Sequence, residues 1–522
     1  MGPAGPHHRS AAGHRRACRL RWRRERSGLH PPDRQPPPPP PPPGRGTLVE
    51  PAKPVARLSA DQFTALLRLD DKGRALEQIA GKPRCGFELQ AIHYRTVGGH
   101  DEETTASGAL MVPAGTDPAC NGKRPVVVYA HGTTTDRAYD LARWMEPGQA
   151  SAAEGVIIAA MFAAQGYIVV APNYAGYDKS TLPYHPYLNG TQQARDVVDS
   201  LTAARSVLPV AGVGDSGALL LTGYSQGGYV ALAAHRELQA LGEKVTASAP
   251  LSAPSAISLL TDYNFLGWPA LGSTVFVPLL STSWQQQFGN VYAKTEDIYE
   301  SRYAPGIDTL LPSLTPINDL FAAGKLPLTA LYPANAVPGP VAPELRVFYG
   351  PDNLVRQSYL TQAAGDVMAR PCPGNALPAT AGSLGNAAAL DCKPDNGFRK
   401  AAVANDLRNW LPTRPVFFCG GADDPTVNFL STRATAGYFA ARGMPASILQ
   451  VLDLEAAGGA NDPYAAARAG FAQAKAQRYE STEGDAAVKA EAVLRAYHGT
   501  LVPPFCVASA RGFFQGVLAS GG

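Results

Sequence analysis

The stretch LLLTGYSQGGYVALAAHRELQAL, residues 219–241, decides the fold. Its first four residues form a short apolar run suited to a buried strand. An Ala-rich stretch of helical character, 231–241, follows within a few residues. Between them lies Gly223-Tyr224-Ser225-Gln226-Gly227-Gly228. A serine on a sharp strand-to-helix turn, with glycines two positions before and two after it, has its hydroxyl projected above the edge of the sheet. The glycines let neighbouring backbone pass closely. By pattern alone G-x-S-x-G occurs in many proteins, and what gives it weight here is its position between strand and helix.

Working outward, the runs 125–129 (PVVVY) and 167–170 (YIVV) precede this strand, each separated from the next by a helix-length segment, and 244–251 follows it. Short β-branched runs alternating with helices predict a parallel sheet built from βα units. Residues 58–80 carry helical spacing, and 87–112 reads as two antiparallel strands joined through a Gly-rich, acidic turn. The alternation fades between 255 and 411, a segment rich in Pro, Leu, Tyr and Asn. It returns in 415–418 (PVFF) and 447–451 (SILQV), so the irregular stretch is an insertion within one sheet. A second insertion, 455–490, is Ala-rich and helical. The expected class is α/β with a mostly parallel central sheet: a head (1–46), a first core segment (47–254), an inserted segment (255–411) and a second core segment (412–522).

At 522 residues and 45% hydrophobic content, the chain can bury a large core. The net charge of +3 conceals an imbalance, because residues 1–46 hold ten arginines against Glu25 and Asp33. The remaining body is therefore mildly acidic, which argues against a nucleic-acid surface. The head ends in the proline run Pro36 to Pro43 and reads as disordered or extended. It shows no basic region followed by an apolar one, so no signal peptide is readable. The apolar stretch 155–172 is interrupted by Gln165-Gly166, which fits a helix followed by a buried strand better than a membrane span. Six of the seven cysteines lie in the body, at Cys85, Cys120, Cys372, Cys392, Cys419 and Cys506, with no spacing suited to zinc. Disulfides, and with them an extracellular or periplasmic location, are the expectation. Proximity favours Cys372 with Cys392 and, less strongly, Cys85 with Cys120, leaving Cys419 for Cys506. Fifteen pairings are open in principle.

A serine hydroxyl is a weak nucleophile and needs a base, usually histidine, oriented by a carboxylate. After the strand at 415–418 comes Gly421-Ala422-Asp423-Asp424-Pro425-Thr426-Val427. The G-x-x-D-x-x-V spacing favours Asp424 as the acid, with Asp423 as a solvated turn residue. Of the ten histidines only His498 lies beyond that acid, in the loop-like context Tyr497-His498-Gly499-Thr500. The expected catalytic set is Ser225, Asp424 and His498. Ala130-His131-Gly132-Thr133-Thr134 resembles the His-Gly element that supplies an oxyanion-hole N–H in esterases and lipases. Thr133 and Gln226 are therefore the expected donors, with His131 structural. Gly214-Asp215-Ser216-Gly217 resembles a protease serine motif, but the strand pattern of that fold is missing. Gly212-x-Gly214-x-x-Gly217 matches a dinucleotide fingerprint but precedes a strand instead of following one. Asn189-Gly190-Thr191 is a glycosylation sequon.

Taken together, His131-Gly-Thr-Thr, Ala171-Pro-Asn-Tyr-Ala-Gly176, Gly-Tyr-Ser225-Gln-Gly, Gly421-Ala-Asp-Asp424 and Tyr497-His498-Gly-Thr resemble, in order, the secretory lipases and carboxylesterases of the α/β-hydrolase superfamily. The resemblance covers roughly residues 85–515. It implies an α/β-hydrolase fold with helices on both faces, a cap (lid) inserted at 255–411, a small-molecule or lipid ester substrate, and neither a metal nor an organic cofactor. The head departs from the family in showing no signal sequence. The leading functional expectation is serine-dependent ester hydrolysis. A serine exopeptidase or polyester-oligomer hydrolase keeps the same triad, and a catalytically silent binding protein would ordinarily have lost one of its members. Tyr263, Phe265, Trp268, Phe276 and Trp284 suit either an acyl-binding tunnel or an ordinary core.

Overall fold

The computed structural model describes residues 44–376 and 388–521, together with Gly2. Gly2 apart, these residues belong to one unit. In chain order its elements are β1 (Lys53–Leu58), α1 (Ala60–Leu67), α2 (Asp71–Ala80), β2 (Gly86–Val97), β3 (Glu103–Ala114), β4 (Lys123–Ala130), α3 (Ala152–Met161), β5 (Ile168–Pro172), α4 (Gly190–Ala211), β6 (Gly214–Tyr224), α5 (Gln226–Ala240) and β7 (Ala247–Leu251). The first insertion contributes α6 (Ile257–Phe265), α7 (Ser273–Phe288), α8 (Ile317–Ala322), α9 (Gln357–Ala369) and α10 (Gly397–Ala404). The chain then completes the sheet with β8 (Val416–Gly420), α11 (Leu430–Ala441) and β9 (Leu449–Asp453), and ends in α12 (Ala465–Glu480), α13 (Ala486–Ala496) and α14 (Val502–Ala519).

The nine strands form one sheet in the order β1-β2-β3-β5-β4-β6-β7-β8-β9. The first three are antiparallel, and β3 pairs antiparallel with β5. From β5 to β9 every pairing is parallel. Helices cover both faces, with α4 packed on α5 and α14 packed across β6, β7 and β8 against α3. Strands β5, β7 and β8 are buried at every position, as central parallel strands covered on both sides must be. The strand order reverses around β4, since β5 lies on one side of it and β6 on the other. Loops leaving the carboxyl ends of β4 and β6 therefore part in opposite directions and open a crevice where open α/β sheets bind ligands. The motifs at Ala130–Thr134 and Tyr224–Gln226 stand at that crevice.

Several expectations are revised. The segment 58–80 is not one helix. Leu58 ends β1, and Asp70 caps a separate α2 by accepting the N–H of Gly73 at 2.7 Å. A Cβ on Gly73 would lie 2.0 Å from the carbonyl oxygen of Leu67, so this tight junction requires glycine. The last residues of the head belong to the fold, because Arg45 Nε donates to both carboxylate oxygens of Asp199 at 2.9 and 2.8 Å. The rest of the head lies outside the described residues. The insertion holds five α-helices among the described residues, joined by long irregular stretches, and its longer helices bury more than one face, which erases the apolar stripe that sequence periodicity depends on. His498 sits not in a loop but in a π-helical turn, Tyr497–Leu501, that joins α13 to α14.

The stretch 155–172 is divided between α3 and β5, as its central break requires. One helical run, Ala486–Ala519, is long and apolar enough to cross a membrane, but half of it is buried within the fold, and α14 lies on the sheet. The disulfides are Cys85–Cys120, Cys372–Cys392 and Cys419–Cys506. The third ties β8 to α14 and closes the longest loop, its ends 87 positions apart in sequence. Replacing Cys419 and Cys506 together with alanine is expected to cost about 2–5 kcal/mol of stability, the usual range for a native disulfide. Chemical denaturation of the oxidised proteins measures this, and equal midpoints would mean that packing alone holds α14 to the sheet.

Candidate active site

Strand β6 ends at Tyr224, and Ser225 occupies the turn into α5 with φ 58° and ψ −121°. That is a left-handed conformation which a non-glycine residue adopts only when its surroundings enforce it. The enforcement comes from close backbone packing. A Cβ on Gly223 would meet the Ala130 carbonyl oxygen at 2.4 Å, and one on Gly227 would meet the same oxygen at 1.9 Å. The flanking glycines therefore let the end of β4 press against the turn and hold Ser225 upright.

His498 Nε2 lies 2.8 Å from Ser225 Oγ, and His498 Nδ1 lies 2.7 Å from Asp424 Oδ2. An ionised Asp424 only accepts, so Nδ1 carries the proton and Nε2 is free to accept from the serine hydroxyl. Asp424 emerges just past β8, and its Oδ1 accepts the N–H groups of Thr426 and Val427 at 2.9 and 3.0 Å. Asp424 is 5% exposed, whereas the Asp423 side chain is 71% exposed and lies 3.9 Å from Lys475 Nζ. The structure thus brings together Ser225, His498 and Asp424, and leaves Asp423 at the surface.

Thr133 follows β4 and Gln226 opens α5. Among the described residues neither backbone N–H has a partner. His131 is buried and stacked on Tyr174, with ring centroids 4.2 Å apart. Its Nδ1 lies 2.6 Å from the Gly132 carbonyl oxygen and its Nε2 3.1 Å from that of Asn173, and burial pushes its pKa down to about 4. This is the setting of a structural residue. The Gln226 side chain points inward, its Nε2 donating to His185 Nε2 at 2.7 Å, while His185 Nδ1 donates to the Ala175 carbonyl at 2.8 Å. Burial holds His185 neutral, down to about 3, which suits an acceptor at Nε2.

Sequence reasoning missed His185 and Tyr224. Tyr224 Oη donates to the His498 carbonyl at 2.7 Å, which anchors the π-helical turn directly to the end of β6. Its position next to the serine was the only available signal, since the contact spans 274 residues. On the other side of the same turn, Tyr497 Oη donates to Glu455 Oε1 at 2.8 Å, and Lys475 pairs with that carboxylate.

A cavity of about 770 Å³ opens beside Ser225 and Asp424. Tyr263, Phe265, Trp268 and Phe276 line it, with Leu280, Tyr359 and Phe398 among the buried part of the wall. Trp284 does not line it. That ring is fully buried and packs behind Phe398 with centroids 4.8 Å apart. Trp268, 42% exposed, stands at the open side. Asn189 of the sequon is 1% exposed and caps α4, so it is closed to modification in the folded protein. Gly214–Gly217 is part of β6. No cluster of metal-ligating side chains occurs among the described residues.

Residues 147–241, from the segment before α3 to the end of α5, match the family model of the secretory lipases. Among solved structures the rice cell wall degrading esterase LipA from Xanthomonas oryzae superposes with a TM-score of 0.65 at 23% identity, over 91% of this chain and 99% of that one. A ligand-bound form of the same esterase also gives 0.65, over 90% and 98%. The chain has the α/β-hydrolase fold. Over residues 147–241 it resembles the secretory lipases. Lipase A of Candida antarctica, at 12% identity and a TM-score of 0.45 over 85% of this chain and 84% of that one, is too distant a likeness to carry weight. No curated protein sequence matches.

Replacing Tyr224 with phenylalanine removes the donor from the His498 carbonyl. The expected cost is about 1–3 kcal/mol, the price of an unsatisfied buried group. Thermal unfolding measures it, and an unchanged Tm would mean that water takes the place of the phenol.

Proposed function

We propose that this α/β-hydrolase is a serine-dependent carboxylic ester hydrolase, akin to the secretory lipases and carboxylesterases, that acts through an acyl-enzyme. The observation that carries the reading is the hydrogen-bonded chain Ser225–His498–Asp424 at the wall of a largely apolar cavity. The secretory lipase match over the elbow and the likeness to an esterase fold support ester hydrolysis as the activity.

In this reading the ester's carbonyl carbon sits beside Ser225 Oγ. The hydroxyl attacks as His498 Nε2 takes its proton, and Asp424 stabilises the imidazolium that results. The carbonyl oxygen gains negative charge and is met by the N–H groups of Thr133 and Gln226, the latter at the N-terminus of α5, where the helix dipole favours an anion. The tetrahedral intermediate collapses, His498 returns the proton to the departing alkoxide, and the acyl group stays on Ser225. Water, deprotonated by the same histidine, then releases the acid. Residues 255–411 act as the cap, whose α6 and α7 shape the acyl side of the cavity. A silent binding protein has no need of an intact triad. Three disulfides among the described residues and the secretory family support an extracellular or periplasmic site of action.

The reading predicts hydrolysis of p-nitrophenyl acyl esters that disappears in Ser225→Ala, with the chain-length profile separating a lipase from a short-chain esterase. Hydrolysis that persists in the variant would sink the assignment. Absence of ester turnover in a wild type whose serine still reacts with an organophosphonate would redirect it to an amide or polyester substrate. Asp424→Asn is expected to lower kcat by roughly 10³–10⁴, the effect of losing the acid in comparable triads. Asp423→Asn should leave kcat unchanged, and the reverse pattern would exchange their roles.

A further inference from the structure

Glu154 lies in the first turn of α3, remote in sequence from every motif, yet its carboxylate sits directly behind the Gly132–Thr133 turn. The Gly132 N–H donates to Glu154 Oε1 at 3.1 Å and to Oε2 at 3.3 Å. The Tyr129 hydroxyl donates to Oε1 and the Tyr139 hydroxyl to Oε2, each at 3.1 Å. Burial pushes the Glu154 carboxyl's pKa up and these three donors pull it back, so the hydrogen bonds favour the ionised form, which only accepts.

This arrangement fixes more than one amide. The peptide between His131 and Gly132 is held at both ends, because its carbonyl accepts from Tyr174 Oη at 3.0 Å and its N–H is taken by Glu154. The next peptide is held by its carbonyl, which lies 2.6 Å from His131 Nδ1. In a planar trans peptide the N–H points opposite the C=O, so the Thr133 N–H faces away from the His131 ring. Gly132 itself adjoins the serine: a Cβ there would lie 3.9 Å from Ser225 Cβ and equally far from Glu154 Oε1. The carboxylate acceptor and the adjoining serine leave the turn little freedom to rotate.

We propose that Glu154 is a positioning residue of the active site, whose carboxylate locks the Gly132 amide and thereby aims the Thr133 N–H at the substrate's oxyanion. The proposal rests on the ester-hydrolase reading. Tyr129 and Tyr139 belong to the same device, since each donates to one of the carboxylate oxygens that hold the Gly132 amide. Glu154 touches no reacting atom, and its effect falls on the transition state, where the oxyanion forms, more than on substrate binding.

The test compares wild type with Glu154→Gln and Glu154→Ala in ester hydrolysis and in inhibition by an alkyl trifluoromethyl ketone. In that probe Ser225 Oγ adds to the ketone carbon, His498 takes the hydroxyl proton and the ketone oxygen becomes an oxyanion, in an adduct that persists because neither carbon substituent can leave. Losing one oxyanion donor outright costs roughly 10²–10³ in kcat, so the alanine variant is expected to approach about 10² and the glutamine variant, which keeps one acceptor, about tenfold. KM should stay near the wild-type value, and the ketone's Ki should rise by the factor by which kcat/KM falls. A purely structural role predicts a lower Tm with kcat and Ki per folded molecule unchanged, and that result overturns the proposal. If neither variant folds, Tyr139→Phe removes one of the three donors while leaving the ring. A parallel shift in kcat and Ki then supports the proposal, and no shift in either refutes it. A wild type that hydrolyses no ester sinks the ester-hydrolase reading itself, which is distinguishable from an active wild type indifferent to Glu154.

Discussion

The approach of the Ala130 carbonyl to Gly223 and Gly227 constrains everything around the site. At 2.4 and 1.9 Å from where side chains would begin, it leaves room for no Cβ at either position. It presses the end of β4 against the β6-to-α5 turn and holds Ser225 in a left-handed conformation that costs of order 1–3 kcal/mol wherever it occurs. The surrounding core over-determines that strain, since Leu220, Leu221, Tyr229 and Val230 are all buried. The same contact places the loop after β4 beside the serine, so the candidate nucleophile and the candidate oxyanion amides are fixed by one piece of packing.

The candidate base and acid, His498 and Asp424, come from the other end of the chain, and three separate ties register them to the serine. Strand β8 joins the sheet beside β7 and delivers Asp424 at the same carboxyl edge. Cys419–Cys506 fastens that strand to α14, eight residues beyond His498. Tyr224 then links the serine's own strand to the His498 backbone. A histidine in a wide π-helical turn between two helices is positioned more rigidly than one in a loop, because regular helix continues on either side of it.

The insertion follows another logic. Its α6 wall is held by buried charges: Arg399 pairs with Asp262 and Asp366, and Arg408 pairs with Asp406 and bonds to Ser258. Asn375 bridges the two groups, donating to Asp262 and accepting from Arg408. Buried ion pairs add little net stability, but removal of one partner leaves an uncompensated charge, so such networks fix geometry more than they add energy. Here they fix the helix that carries Ile257 and Phe265 into the cavity wall.

The sheet was legible because parallel strands buried on both faces must be continuous apolar runs, and each of those at 125–129, 167–170 and 219–222 lies where a strand is found. The candidate site was legible where local chain geometry dictates residue type: small residues around Ser225, a turn acid at Asp424, and a histidine left by elimination at 498. What the sequence by itself determined is this set of strands, the serine turn and the order of the three polar residues, because each depends on neighbours within a few positions. Tertiary structure alone decided that His498 stands in a helical turn, that the Asp424 carboxylate reaches its Nδ1, where the insertion's helices lie, and that Glu154, His185 and Tyr224 surround the site. These depend on contacts between residues from 22 to 274 positions apart, for which no local periodicity exists.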